Sequence, residues 1–146
     1  MSYLLLKFIH LTAAAFFIGG VFFEVMILSP AARQLDLAPR EQLSKALGAR
    51  ARRVMHLVVL ALYGAGLGLA WQYRALLRDP LTGSFGTLLA LKIGLALSIL
   101  GQFGYVVYLM RTGQMTAQRS RRIHLSVLVH MLGILFLAKA MVLLSW

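Results

Sequence analysis

The sequence predicts an all-α fold, an integral membrane four-helix bundle, from three observations. Hydrophobic residues make up 60% of the 146 residues, against about 45–50% in soluble domains, and the mean hydropathy is +0.81. Four apolar stretches are each long enough for the roughly 20 residues that a membrane span requires. The cations cluster between these stretches, as topology signals do, so the net charge of +11 does not indicate a nucleic-acid partner.

The four predicted spans form one membrane domain over residues 1–146. They lie at about residues 3–28, 54–77, 85–110 and 123–144. The first apolar run is too long for a cleaved signal peptide, so we expect it to remain as a span. Residues 36–50 are too polar to cross a bilayer. With Asp36 as a cap and Pro39 in the first turn, they predict a short basic helix on the cytoplasmic surface that leads into the second span.

The distribution of lysine and arginine predicts the orientation of the spans. The first and third connections together carry ten cations, and the second carries two, Arg74 and Arg78. Because positive charge is retained in the cytoplasm, the first and third connections should be cytoplasmic and both termini periplasmic, in a bacterial inner membrane. Trp71, Tyr73 and Trp146 would then belong to an outer aromatic belt. A bundle this small is also a candidate homodimer within the lipid bilayer.

Small residues recur in the first three predicted spans and indicate close packing between helices. They are Gly19, Gly20, Gly64, Gly66, Gly68, Gly94, Gly101 and Gly104.

Three polar side chains should meet in a layer near the cytoplasmic ends of the spans. Glu24, His56 and His124 come from three different spans and have similar predicted depths. Two histidines on different helices at one depth suit the axial ligation of a haem iron. The same groups could hold a metal ion such as copper, with Glu24 as a third ligand. The remaining alternative is that His56 and His124 are ordinary polar residues of the headgroup region.

A second polar layer should lie in the outer half of the bilayer. It contains His10, Lys92 and Lys139, with Lys7 one turn above His10, and no outer half-span supplies an acid. Buried charges are normally paired, so this layer predicts an anionic partner: haem propionates, a porphyrin, a quinone or another anionic small molecule. The alternatives are lysines that reach the headgroups and a His10 that bonds a neighbouring helix. His130, near mid-membrane, suits a ligand, a proton relay or an interhelical bond.

Several stretches resemble the CopD family and the HemJ-like proteins, both small helical membrane proteins. The first span, "LKFIHLTAAAFFIGGVFF", resembles their first helix, and "RARRVMHLVVLALYGAGLGLAW" resembles a CopD helix that begins with paired arginines. "FGTLLALKIGLALSILGQFGYVVYLMR" resembles the helix in which both families place a lysine, here Lys92. "RSRRIHLSVLVHMLGILFLAKAMVL" resembles their last helix.

The resemblance implies two activities. The HemJ-like pattern implies a haem-associated protoporphyrinogen oxidase, with His10 and Lys92 in catalytic roles, and the CopD pattern implies copper uptake or resistance. Three hypotheses therefore stand. The first is a membrane protein that binds haem b and has an electron-transfer or oxidoreductase role, with His56, His124, His10, His130, Lys92 and Lys139 as candidate cofactor-binding residues. The second is a metal-handling protein that uses His56, His124 and Glu24. The third is a non-catalytic assembly factor.

Overall fold

A computed structural model describes residues 2–144 of the protein, and these residues form helices and no strand. The helices are α1 (Ser2–Phe23), α2 (Ser29–Ala32), α3 (Leu37–Gln72), α4 (Arg74–Arg78), α5 (Ser84–Arg111) and α6 (Ala117–Leu143). Four of them, counting α1 with the helical turns that continue it to Ala32, are long and apolar enough to cross a membrane. The all-α class and the four predicted spans are confirmed to this extent; Trp146 lies outside the described residues.

The chain divides into two compact units, each of which is a helical hairpin. The first ends at Gln72 and pairs α1 with α3; the second begins at Tyr73 and pairs α5 with α6.

In the first hairpin the two helices are antiparallel and approach closely at glycines. A Cβ atom on Gly68 would lie 3.1 Å from the Leu6 side chain, and one on Gly20 would overlap the end of the Met55 side chain. Early residues of α1 therefore lie opposite late residues of α3. The expected role of glycine in helix packing is realised at these positions, because only a hydrogen atom leaves room for the neighbouring side chain.

The second hairpin is also antiparallel, and hydrogen bonds stabilise both ends of α5. A Cβ on Gly133 of α6 would lie 3.2 Å from Leu95 of α5. In the first turn of α5, the Thr87 hydroxyl donates a 2.8 Å hydrogen bond to the carbonyl of Pro80, which precedes the helix. After α5, Gly113 adopts a left-handed conformation with φ 66°. The next amide, of Gln114, bonds back to the carbonyl of Leu109 at 2.9 Å, which is a common way to end a helix.

The C-terminal part of the first span departs from α-helical geometry at Glu24. Glu24–Leu28 form a π-helical turn, and the amide of Ser29 donates to the carbonyl of Glu24. Pro30 follows at once; a proline has no amide hydrogen, and its ring clashes with the carbonyl four residues earlier. A wider turn before Pro30 accommodates both effects.

The basic segment is the beginning of α3 rather than a separate short helix. Asp36 precedes Leu37 directly, its carbonyl accepts from the amide of Arg40 at 3.1 Å, and Pro39 lies in the first turn as expected. The helix then runs without interruption through 36 residues, about 54 Å at 1.5 Å per residue. Its composition explains the continuity, since residues 40–63 hold good helix formers, no proline and only one glycine. It ends at Gln72, five residues before the predicted boundary.

Candidate functional site

All four histidines share one arrangement: the Nδ1 atom of each faces a backbone carbonyl oxygen. The pairs are His10 with Leu62 at 3.0 Å, His56 with Arg52 at 2.5 Å, His124 with Ser120 at 2.9 Å and His130 with Ser126 at 2.8 Å. A carbonyl oxygen can only accept, so in each neutral ring Nδ1 carries the hydrogen and Nε2 carries the lone pair. A hydrogen bond of this kind fixes the tautomer and the ring orientation of ligating histidines.

His10 differs from the other three because its carbonyl partner lies on another helix. Leu62 belongs to α3, so the bond joins α1 to α3. His56, His124 and His130 instead bond the carbonyl four residues earlier in their own helix. The half-buried His10 ring is therefore held by tertiary structure rather than by local geometry.

Gly66 makes room for the His10 ring. A Cβ on Gly66 would lie 3.2 Å from Cε1 and 3.3 Å from Nδ1 of His10. In an α-helix the amide of Gly66 bonds the carbonyl of Leu62, which also receives His10. The absence of a side chain on Gly66 lets the imidazole approach that carbonyl. Gly64, by contrast, has no neighbouring atom within 4 Å of its Cβ position.

His56 and His124 each follow a cluster of arginines closely, His56 near the middle of α3 and His124 near the start of α6. His56 lies three residues past Arg53, and His124 lies two residues past Arg122. The His56 side chain is exposed and that of His124 is half-buried. The Ser120 hydroxyl is also within 3.3 Å of Nδ1 of His124. Because the two histidines belong to different hairpins, their predicted pairing across the bundle stays a prediction.

Both nitrogens of His130 have hydrogen-bond partners within the second hairpin. Nδ1 donates to the carbonyl of Ser126, and Nε2 lies 3.2 Å from the hydroxyl of Ser98 on α5. With the hydrogen on Nδ1, the Ser98 hydroxyl must be the donor to Nε2. Of the three roles considered for His130, the structure contains the interhelical bond. A ligand role would require Ser98 to release Nε2.

Glu24 lies further towards the basic end of the first hairpin than His56 does. The contacts of Leu6 with Gly68 and of Gly20 with Met55 set the register of α1 on α3. That register places Glu24 roughly level with residues 50–51, about 8 Å along the helix axis from His56. Among residues 2–144, no three His, Cys, Asp or Glu side chains are grouped closely enough to hold a metal ion.

The two lysines of the predicted outer layer lie near one another in depth on the second hairpin. The pairs Ser98 with His130 and Leu95 with Gly133 set its register. Lys139 then lies about one turn further than Lys92 from the basic end. Lys92 is half-buried and Lys139 is exposed. Their association with His10, which belongs to the first hairpin, stays a prediction.

Sequence reasoning missed two contributors to these arrangements, the Leu62 carbonyl and Ser98, and it assigned Gly66 to helix packing without its contact with His10. The glycines at 64, 66 and 68 were a visible signal. Successive residues of a helix point 100° apart, so the spacing alone does not predict that Gly66 and Gly68, rather than Gly64, contact α1, as the structure shows.

Comparisons of the chain with models of known protein families, with curated proteins and with solved structures each find no match. The resemblance to the CopD family and the HemJ-like proteins therefore stays a prediction from the quoted stretches.

Proposed function

We propose that this protein is a bacterial inner-membrane haem b protein with an electron-transfer or oxidoreductase role. In this proposal the connections that follow α2 and α5 face the cytoplasm and both termini face the periplasm, in accord with the ten cations in the first and third connections. The observation that carries it is the common geometry of the histidines, whose lone pairs reside on Nε2 while Nδ1 is anchored.

The donor chemistry fits a haem. Neutral imidazole is the usual axial ligand of haem b, and the anchored Nδ1 hydrogen makes Nε2 the coordinating atom. His130 fits less well than His124, because its Nε2 already accepts from Ser98.

Within one copy of the chain, the proposed axial pair would take one histidine from each hairpin. Within the first hairpin, His10 is level with residues 62–66, about 12 Å along the axis from His56. Within the second, His124 and His130 are six residues apart, or about 9 Å. Neither separation allows two Nε2 atoms to bind one iron from opposite sides. His56 and His124 are the pair that we propose, since each lies two or three residues past the last arginine of a basic cluster.

The outer layer would serve an anionic group. We propose that His10, Lys92 and Lys139 receive haem propionates, an anionic substrate such as a porphyrin, or a quinone. Lysine pairs with carboxylates, and residues 80–146 contain no acid. A bound haem would supply one-electron chemistry. The protein's contribution would be to hold the imidazole rings and to balance the charge of the ligand.

The test is an absorption spectrum of the protein purified in detergent, oxidised and then reduced with dithionite. A Soret band with sharp α and β bands on reduction would support six-coordinate haem. A protein that stays colourless after expression with added haem would contradict the proposal.

A second function, a non-catalytic assembly factor, is favoured by one observation. The bonds from His10 to Leu62 and from Ser98 to His130 each join two helices of a hairpin. These bonds alone would give two of the membrane histidines a structural purpose. If substitution of His10 and of Lys92 left the cellular function intact, this second function would be preferred.

A further inference from the structure

One end of the second hairpin concentrates arginine. Arg111 is the last residue of α5, and Arg119, Arg121 and Arg122 lie in the first two turns of α6. Only residues 112–116 separate the two helices, so all four arginines belong to the same end, here called the arginine end. The side chains of all four are exposed.

The connection is built in a way that leaves most of these charges facing outwards. Arg119 bonds back over the loop: its Nη1 donates to the carbonyl of Gln114 at 2.8 Å. Its backbone amide donates to the hydroxyl of Thr116, the residue that caps α6, at 3.2 Å. Arg121 and Arg122 follow in α6. The loop at residues 112–116 contains no aspartate or glutamate that could pair with them.

No carboxylate in the second hairpin can neutralise the arginine end. The four acids of the chain are Glu24, Asp36, Glu41 and Asp79, and the only one in the second hairpin, Asp79, precedes α5 at the opposite end. In the first hairpin, Glu41 already lies 3.9 Å from Lys45. Even if the first three acids each matched one of the ten cations in the first and third connections, seven cations would remain.

The arginine end borders the apolar part of the helices directly. Leu109 is almost completely buried in the hairpin at 1% exposure, and Ile123 follows Arg122. If α5 and α6 cross a bilayer, these arginines must lie in the headgroup layer, where phosphate groups are the available anions. Guanidinium groups bind phosphate oxygens through paired hydrogen bonds.

We propose that the arginine end is a binding site for the phosphate of anionic phospholipids. The proposal rests on the membrane location proposed above, but not on haem. Nucleic acid would also satisfy arginine, but charges confined to the headgroup layer favour a lipid. Attraction to an anionic surface amounts to about a fivefold gain in binding for each arginine, so removal of two should reduce the preference for anionic lipid roughly 10- to 30-fold.

The test uses the full chain in detergent and native mass spectrometry with equimolar phosphatidylglycerol and phosphatidylcholine. We expect the wild type to retain phosphatidylglycerol preferentially. R121Q/R122Q should lose most of that preference, while R121K/R122K should keep the greater part of it. R74Q/R78Q, which removes the same number of arginines from the opposite end, should behave as the wild type. In R121Q/R122Q the first and third connections would still carry eight cations against two in the second connection, so the charge distribution that sets the topology is preserved.

Three results would overturn the proposal. The first is equal retention of both lipids by the wild type, and the second is an equal loss of the phosphatidylglycerol preference in R121Q/R122Q and R74Q/R78Q. The third is displacement of phosphatidylglycerol by a single-stranded oligonucleotide or by free phosphate at the same concentration as the lipid. Lipid retention is read without haem, so a colourless protein that keeps the preference would contradict the haem proposal alone.

Discussion

The clearest test of the His10 arrangement compares two alanine substitutions on the same helix. Gly66→Ala would place a methyl group 3.2 Å from Cε1 and 3.3 Å from Nδ1 of His10, whereas Gly64→Ala would meet no atom within 4 Å. Both changes gain the same intrinsic helix propensity, about 1 kcal/mol. The difference between the variants therefore isolates the contact with His10.

The expected magnitude follows from the geometry. The ring must withdraw by a few tenths of an ångström, which stretches the 3.0 Å bond to Leu62. A lost interhelical hydrogen bond in a membrane costs about 0.6 kcal/mol and at most about 1.7, and overpacking adds about 1–3 kcal/mol. We expect Gly66→Ala to be about 1–3 kcal/mol less stable than Gly64→Ala, a range that allows for partial relaxation.

Unfolding in SDS, followed by far-ultraviolet circular dichroism in one detergent, measures this difference. The control repeats both substitutions in a His10→Ala background, where most of the penalty should disappear because the ring is gone. Equal stability of Gly66→Ala and Gly64→Ala, or an unchanged penalty without the imidazole, would refute the reasoning.

Three further predictions concern the polar side chains of the spans. His10→Asn keeps a donor near the Leu62 carbonyl but has no Nε2. We expect near-normal stability in SDS unfolding and loss of the protein's redox activity. Full redox activity of the variant would identify His10 as a structural residue. Ser98→Ala should cost about 0.6 kcal/mol in SDS unfolding and leave any haem spectrum unchanged, whereas a shifted Soret band would show that His130 acts at the cofactor. Lys92→Met should stabilise the haem-free protein, because it removes a half-buried charge, and should weaken haem retention in detergent; stronger retention would contradict pairing with propionates.

The fold was predictable because it depends on bulk properties. Apolar length alone fixes four helices, and the structure contains them. The boundaries were less accessible: nothing between residues 40 and 63 interrupts α3, so the basic segment joined the second span as one helix. The π-helical turn at Glu24 depends on how the chain accommodates Pro30, and hydrophobic patterning does not report that.

The histidines were visible in the sequence, but their partners were not. The Leu62 carbonyl can accept a bond from another helix because α1 approaches it where Gly66 has no side chain. That depends on the rotation of α1 against α3, which is set by packing. The bond between Ser98 and His130 was equally hard to predict, because the sequence around a serine in an apolar helix does not indicate which residue it bonds. The matched depth of His56 and His124 stays a prediction, because the two residues belong to different hairpins.

The measurement that tests the haem proposal most directly is the reduced absorption spectrum of four variants, His10→Ala, His56→Ala, His124→Ala and His130→Ala, purified alongside the wild type. We predict that the sharp α and β bands are lost in His56→Ala and in His124→Ala and retained in His130→Ala, whose Nε2 is occupied by Ser98. Loss of the bands only in His10→Ala would move the haem to the outer layer, and a wild type without these bands would contradict the account.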